Sequence, residues 1–473
     1  MYQEQNRPEQ EDIRDILQQY EALQSGRGQS FLSEESFERI IDHFDEIDQL
    51  PSALEAAESG IAQYPYSCSL LVKKADLLIA GRRYAEALDL LRHAEILDGT
   101  DIDIYILKTD AYLALDQQEK AVELLEEAIG RFEGDDRLNL LFELADVYDD
   151  YEEFDKIFDC LRLILEQEPN NEEALYKICF WTDFTGRNEE SIRLHQSIID
   201  EYPYNELAWF NLAAAYQGLK LYEKSVDAYK YALVINEKFD YAYRNMADAY
   251  IRMRKYRDAI EALEKVVELA RPEDVIYEAI GHCYERLKNP AQARFYYRKA
   301  SHLNPEESKL HFKVAGTYMR EENWTQSIKY LELALKIHRN QPEYNLAMGE
   351  CLLQLGRHRD AIHHFTLVVQ HRPRKVAGWE ALLRCLYKAG LFDEAEAQAN
   401  LAYETSGQKP VFLFYRTAIL HAQGRFKEAL LVLESAMGRD PRGLRKLIAL
   451  SPSILQNPQM VDLVARYKRN RSI

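Results

Sequence analysis

The chain has 473 residues, is 47% hydrophobic and 29% charged, and carries a formal net charge of −20. That is ample for a large folded core and leaves one to three globular domains, or one elongated array, as the length priors. With only 19 glycines and 14 prolines, turns are scarce and a strand-rich fold is disfavoured. No apolar run approaches the roughly 18–20 residues needed to span a membrane. The first residues, MYQEQNRPEQEDIRD, have neither the basic start nor the apolar stretch of a signal peptide, and the expected compartment is the cytoplasm. The six cysteines, Cys68, Cys160, Cys179, Cys283, Cys351 and Cys385, form no C-x-x-C pair. They read as small buried hydrophobes in a reducing compartment. Charge is uneven: residues 1–200 carry 18 Lys and Arg against 47 Asp and Glu, so the later part of the chain is net basic.

In chain order, the first element is an amphipathic helix with Ile13, Ile16, Leu17, Tyr20 and Leu23 in one stripe, followed by a loop at SGRGQS. From there a period takes over. A slot that is Ala or Ser in eleven of twelve cases recurs at Ala53, Ala87, Ala121, Ile157, Ser191, Ser225, Ala259, Ala293, Ser327, Ala361, Ala395 and Ala429. Ten of these eleven intervals are 34 residues and one is 36, with the two-residue insertion falling in EGDDR, 133–137. That insertion predicts a local irregularity or bend. Such self-similarity is the signature of a repeat architecture.

Within each period the apolar spacing is helical. Trp209, Leu212, Ala213 and Tyr216 fall at i, i+3, i+4 and i+7 of a first helix. Tyr222, Ser225, Val226, Tyr229 and Leu233 continue on a second helix after a turn around 218–221. Pro65, Pro169, Pro203, Pro305, Pro373 and Pro441 share the closing slot, where proline is tolerated between helices but not inside one. Each unit is then a helical hairpin whose apolar face is buried only by stacking on its neighbours, which makes an all-α solenoid. Met460, Leu463, Val464 and Tyr467 form a last stripe before the basic tail YKRNRSI.

The pattern W-x2-L-G/A-x2-Y, then Ala, aromatic, Ala and Pro, resembles the tetratricopeptide repeat family. Trp209/Leu212/Ala213/Tyr216, Tyr243/Met246/Ala247/Tyr250 and Tyr277/Ile280/Gly281/Tyr284 carry the resemblance. It implies a right-handed superhelix of the bacterial type with twelve tandem repeats over residues 34–443. Residues 1–33 would cap one end and residues 444–473 the other. Thr182 at the Tyr slot, Ile157 at the small slot and His311 at the Trp slot depart from the pattern. Ala213 would occupy the closest approach between the two helices, where a larger side chain costs roughly 1–3 kcal/mol by overpacking.

No phosphate-cradling glycine loop, nucleophile elbow or H-E-x-x-H helix appears, and the segments outside the repeats are too short for a catalytic domain. An enzyme is not expected, nor a cofactor or metal. His358, His363, His364 and His371 form the richest histidine group. Adjacent His363 and His364 point about 100° apart on a helix and cannot share one metal face, so a solvated surface is expected there.

With the small second-helix residue counted as position 20, the resemblance implies that first-helix positions 2, 5, 6, 9, 12 and 13 line a concave ligand groove. Position 9 gives Asp42, Asp76, Asp110 and Asp146, with Asp248 after a gap. Asp45 and Asp149 join at position 12, Glu46 and Asp150 at position 13. Rungs about a helix diameter apart lie near the Debye length, so their shared field would attract a basic segment. Position 13 later reads Arg252, Arg286 and Arg320, with Lys388 beyond; a basic last turn also compensates the helix dipole. Asn211 and Asn245 hold position 6, where in some superhelical members of the family asparagine bonds the backbone of an extended peptide. Phe142, Tyr176 and Phe210 at position 5 are candidates for apolar contact or packing. The Lys/Asn clamp for acidic chaperone tails is absent around Asn211.

The expected function is therefore a protein-interaction scaffold or adaptor. Its partner would be a protein or peptide segment, basic toward repeats one to four; neither nucleic acid nor membrane is expected as a partner. A ligand- or peptide-sensing regulator and an accessory subunit of an enzyme or envelope-assembly complex are the alternatives.

Overall fold

The computed structural model describes the backbone of residues 7–25 and 31–469 and the side chains of residues 13–25 and 31–467. Residues 26–30 of the expected loop and 470–473 of the expected basic tail lie outside these. The chain divides into two compact units between Glu237 and Lys238. Among the described residues all regular structure is helical, and each unit is an α-solenoid.

In the first unit, the helix Arg7–Gln24 precedes six helical hairpins. Hairpins 1–3 are Glu34–Glu46/Leu50–Gln63, Cys68–Ala80/Tyr84–Leu97 and Ile102–Ala114/Gln118–Ile129. Hairpins 4–6 are Gly134–Asp150/Phe154–Gln167, Glu172–Thr185/Asn188–Glu201 and Glu206–Gly218/Tyr222–Ile235. In the second unit, hairpins 7–9 are Asp240–Arg252/Tyr256–Leu269, Asp274–Arg286/Pro290–Leu303 and Ser308–Arg320/Trp324–Ile337. Hairpins 10–12 are Pro342–Gln354/His358–His371, Val376–Lys388/Phe392–Thr405 and Val411–Ala422/Phe426–Arg439. Two further α-helices, Leu444–Leu450 and Pro458–Arg469, close the described chain.

The twelve recurring small-slot residues are all at most 2% exposed, because there the second helix lies against its own first helix and the next hairpin. Positions 8 and 24 trade volume across the pair. Gly281 faces Tyr297 and Gly349 faces Phe365, whereas the same slots hold Leu383 with Ala399 and Ile41 with Ala57, all buried. Close packing at fixed interhelical distance requires this compensation.

Every hairpin turn places one residue in the left-handed region: Asp48, Arg82, Asp116, Glu152, Gly186, Lys220, Arg254, Lys288, Glu322, Gly356, Gly390 and Gly424. Only four are glycine. In most of these turns the next N–H closes a Schellman-type bond to the carbonyl five residues back, as from Leu221 to Tyr216 at 2.9 Å and Lys255 to Tyr250 at 2.9 Å. The Trp slot has a second recurring feature, shared by five hairpins. Its side chain donates to the carbonyl six residues back: Tyr105 to Gly99 at 3.1 Å, Trp209 to Pro203 at 2.9 Å and Trp379 to Pro373 at 2.7 Å. His311 meets Pro305 O at 2.9 Å through Nε2, and Asn345 donates to Arg339 O at 3.0 Å. The departure at His311 therefore keeps the chemistry of the slot, since an imidazole N–H replaces the indole N–H.

The insertion near 133–137 is a local irregularity. It lengthens the first helix of hairpin 4, which runs 17 residues from Gly134, itself at φ +62. Hairpin 5 is where the stacking changes: its first helix packs mainly on the helices Phe154–Gln167 and Glu206–Gly218 rather than on its own partner. At the N-terminal end, Ile16 and Tyr20 join a core with Phe37, Ile40 and Ala57. At the other end, Met460 is buried against the last hairpin, with Leu463, Val464 and Tyr467 packed beside it.

Candidate protein-binding face

In hairpins 1–4 the successive first helices pack on one another, with the position-9 residues Asp42, Asp76, Asp110 and Asp146 exposed in turn. Asp45, Glu46, Asp149 and Asp150 are exposed beside them. Asp42 pairs with Lys73 Nζ at 2.5 Å. Asp146 lies 3.6 Å from Lys177 Nζ, which also meets Glu173 at 2.8 Å and sits 5.1 Å from the Phe142 ring centre. Among the described residues no lysine or arginine forms an ion pair with Asp76, Asp110 or Glu143.

That imbalance shows in their protonation. Desolvation, then the charge of Asp45, raises the Asp76 carboxyl, with Lys73 opposing. Desolvation and then Asp76 raise Asp110. Half-buried Glu143, at position 6 of hairpin 4, is pushed up to about 7 by desolvation and by the charges of Asp110 and Asp146. Asp76 and Asp110 are open to water yet poorly hydrated, which is the behaviour of groups on a recessed surface. A carboxyl raised above its ordinary value holds its proton in the folded chain between about pH 4.5 and 7, so this contribution to stability is lost as pH rises through 7. Glu143→Gln should therefore raise stability at pH 8 by about 1 kcal/mol and leave it nearly unchanged at pH 5, read by denaturant melts at both values.

Hairpin 5 interrupts the acidic rungs with aromatic ones. Phe180 stands at position 9 and Phe184 at position 13, 60% and 57% exposed, with Tyr176 at position 5 63% exposed. Phe154 and Phe184 rings meet edge-on at 4.7 Å, Phe180 and Trp181 at 4.9 Å, and Phe154 stacks on Trp181 at 5.3 Å. Neither Glu143 nor the pair Phe180 and Phe184 was singled out from the sequence, although they sit at positions 6, 9 and 13, which were read as ladders. One is a glutamate among aspartates, and the other is apolar where charge was sought.

Residues 186–354 match the family described as the tetratricopeptide repeat protein 21 C-terminal ARM domain, and residues 346–410 match a tetratricopeptide repeat family. This chain is a tetratricopeptide-repeat protein. Mouse anaphase-promoting complex subunit 7 is 23% identical over 133 residues, 28% of this chain and 24% of that protein. The chain thus spans about a quarter of that relative's length. Among solved structures, the C-terminal part of a tetratricopeptide-repeat protein from Cytophaga hutchinsonii is 15% identical with a TM-score of 0.44, covering 54% of this chain and 99% of that one. YrrB, described as a tetratricopeptide-repeat protein with an unusual peptide-binding site, is 16% identical with a TM-score of 0.36, covering 40% and 96%.

Within the tetratricopeptide framework several expected site residues behave differently. Asn211 does not face a groove. It is 2% exposed, and its Nδ2 donates to Leu175 O at 2.8 Å and lies 3.1 Å from His195 Nε2. The displaced first helix of hairpin 5 brings that carbonyl within reach, so the asparagine ties hairpins 5 and 6 together. Asn245, on hairpin 7, is half-buried. The three arginines are exposed but engaged within their own unit: Arg252 with Asp248 at 3.4 Å, Arg286 with Tyr256 Oη at 3.0 Å, and Arg320 with Glu285. Arg286 and Arg320 brace neighbouring helices, while Arg252 pairs one turn back on its own. His364 is not simply solvated either, because Nδ1 lies 2.8 Å from the buried Asn345 Oδ1. The cysteine thiols are desolvated, which raises Cys160 to about 12 and Cys283 and Cys385 to about 11. Among the described residues no His, Cys, Asp and Glu group could hold a metal ion and no helix is long and apolar enough to cross a membrane.

Proposed function

We propose that this tetratricopeptide-repeat protein is an interaction scaffold whose first unit binds a basic protein segment along the first helices of hairpins 1–4. We take each of the twelve hairpins as one repeat, with residues 1–33 and 444–473 as the ends of the array and the cytoplasm as the compartment. The observation that carries the reading is the row Asp76, Asp110 and Glu143, whose carboxyls are under-hydrated, mutually repulsive and without an ion-pair partner among the described residues. Lysine or arginine side chains docking there would relieve both the repulsion and the lost hydration. The mouse relative is by name a subunit of a larger complex, in keeping with a scaffold role.

Charge steering of this kind is salt-dependent and pH-dependent. A lysine-rich peptide should bind the full chain more tightly at pH 8 than at pH 6, because Glu143 gains its charge through about 7. Replacing Asp76, Asp110 and Asp146 together with Asn should weaken binding roughly tenfold at low salt and flatten the salt dependence. Calorimetric titration that finds the triple variant equal to the parent removes the acidic face from the binding site.

A further inference from the structure

We propose that the aromatic cluster of hairpin 5 is an anchor site for one large apolar side chain of the bound segment, so that the partner carries a bulky apolar residue beside spaced lysines or arginines. The inference rests on the acidic-face reading above and assigns the partner's pattern. Soluble proteins rarely leave several aromatic rings exposed together unless the patch is an interaction surface. Packing within the unit accounts for half-buried Phe154 and Trp181, but not for Phe180 and Phe184 at 60% and 57% exposure. The rings hold one another in edge-on and stacked contacts at 4.7–6.0 Å, so a guest would find a platform already ordered. Such pre-organisation lowers the entropy cost of binding.

Charge complementarity selects the guest. Phe180 takes the position that Asp76, Asp110 and Asp146 hold in the preceding hairpins, and Asp183 follows it one turn on. Lys177, one turn before, is already taken up by Glu173 and Asp146. Its ammonium, placed between the Asp146 carboxylate and the Phe142 ring, shows how a partner's cation would sit on this face. Rungs lie about 10 Å apart, a helix diameter, and an extended chain advances about 3.3 Å per residue. The anchor should therefore stand about three residues from the nearest lysine or arginine, with further basic residues at the same spacing.

The test uses the full chain and fluorescein-labelled peptides followed by anisotropy. One peptide carries three lysines three residues apart with a leucine three residues beyond the last; a second has serine for the leucine; a third is the first in reverse order. The leucine peptide, in one of its two directions, should bind roughly tenfold more tightly than the serine peptide, and it alone should shift Trp181 fluorescence. Phe180→Ala with Phe184→Ala should erase that gain and leave the serine peptide within about twofold. Phe180→Ser alone, checked by thermal melting, guards against a folding effect, since its ring is exposed. Equal binding of leucine and serine peptides, or equal loss of both in the aromatic variant, overturns the anchor while the acidic face stands. If Asp76→Asn with Asp110→Asn leaves lysine-peptide binding unchanged, the acidic face fails first and the anchor with it. Concentration-dependent self-association that disappears in the aromatic variant would instead assign the patch to a second copy of the chain, and overturns the proposal.

Discussion

Gly349→Leu is expected to destabilise the second unit by about 3 kcal/mol, through overpacking at the closest approach of two helices. A Cβ on Gly349 would already lie 2.5 Å from Phe365 Cε1 and 2.8 Å from its Cδ1. Phe365 is fully buried, so the ring cannot swing aside, and the gain in helix propensity over glycine, roughly 1 kcal/mol, does not offset the clash. Phe365→Ala alone should also cost about 3 kcal/mol or more, by leaving a cavity. Together the two changes should recover much of the loss, because Leu383 with Ala399 is the arrangement hairpin 11 already uses at the same slots. Urea melts of the two single variants and the double variant measure the coupling. A value near zero would mean that positions 8 and 24 do not share one space.

Asn211→Leu should cost about 3 kcal/mol in the first unit. Four groups are linked there: Leu175 O accepts from Asn211 Nδ2, Asn211 faces His195 Nε2, and His195 Nδ1 lies 2.7 Å from Ser191 O. The geometry fits a neutral imidazole with its proton on Nδ1, donating to Ser191 O, while Nε2 accepts from the amide. Leucine would leave the buried ring nitrogen without a partner, at about 1–3 kcal/mol, and deprive Leu175 O, a carbonyl inside the helix Glu172–Thr185, of its second donor. Burial holds the His195 pKa down at about 4. For a depressed value the sign is fixed: the contribution is present above pH 6.5 and is lost as pH falls toward 4, since the unfolded chain takes up a proton that the folded chain refuses. Over that window it amounts to about 3 kcal/mol. Asn211→Leu should therefore lower stability at pH 7.5, and His195→Leu should flatten the acid limb of the stability profile. A stability-against-pH curve with the same acid limb in both parent and His195→Leu would exclude this network as its source.

Glu143 acts in the opposite direction over much of the same range. The two groups thus pull the pH profile of the first unit in opposite directions, and each variant should make the other's contribution easier to see.

The helical hairpins and their order were legible in the amino-acid sequence because they follow from local periodicity. Apolar residues at helical spacing, a small residue every 34 positions and proline between helices each act within one or two turns of chain. Even the departures could be placed: His311 at the Trp slot keeps the slot's hydrogen bond, and Ile157 at the small slot is buried like the alanines. The aspartate positions were legible as well, since exposure on a first helix is a matter of register.

What a polar side chain meets was not legible. Asn211 reads as a surface residue by polarity alone. Its burial depends on a carbonyl 36 residues earlier and an imidazole 16 residues earlier, which come together only when the first helix of hairpin 5 shifts onto hairpin 6. Arg286 and Arg320 likewise find Tyr256 and Glu285 on neighbouring helices. Periodicity determines which face of a helix turns inward, because that depends on residues a few positions apart. The partner of a buried polar group is a property of two surfaces at once, and only the tertiary structure brings those surfaces together.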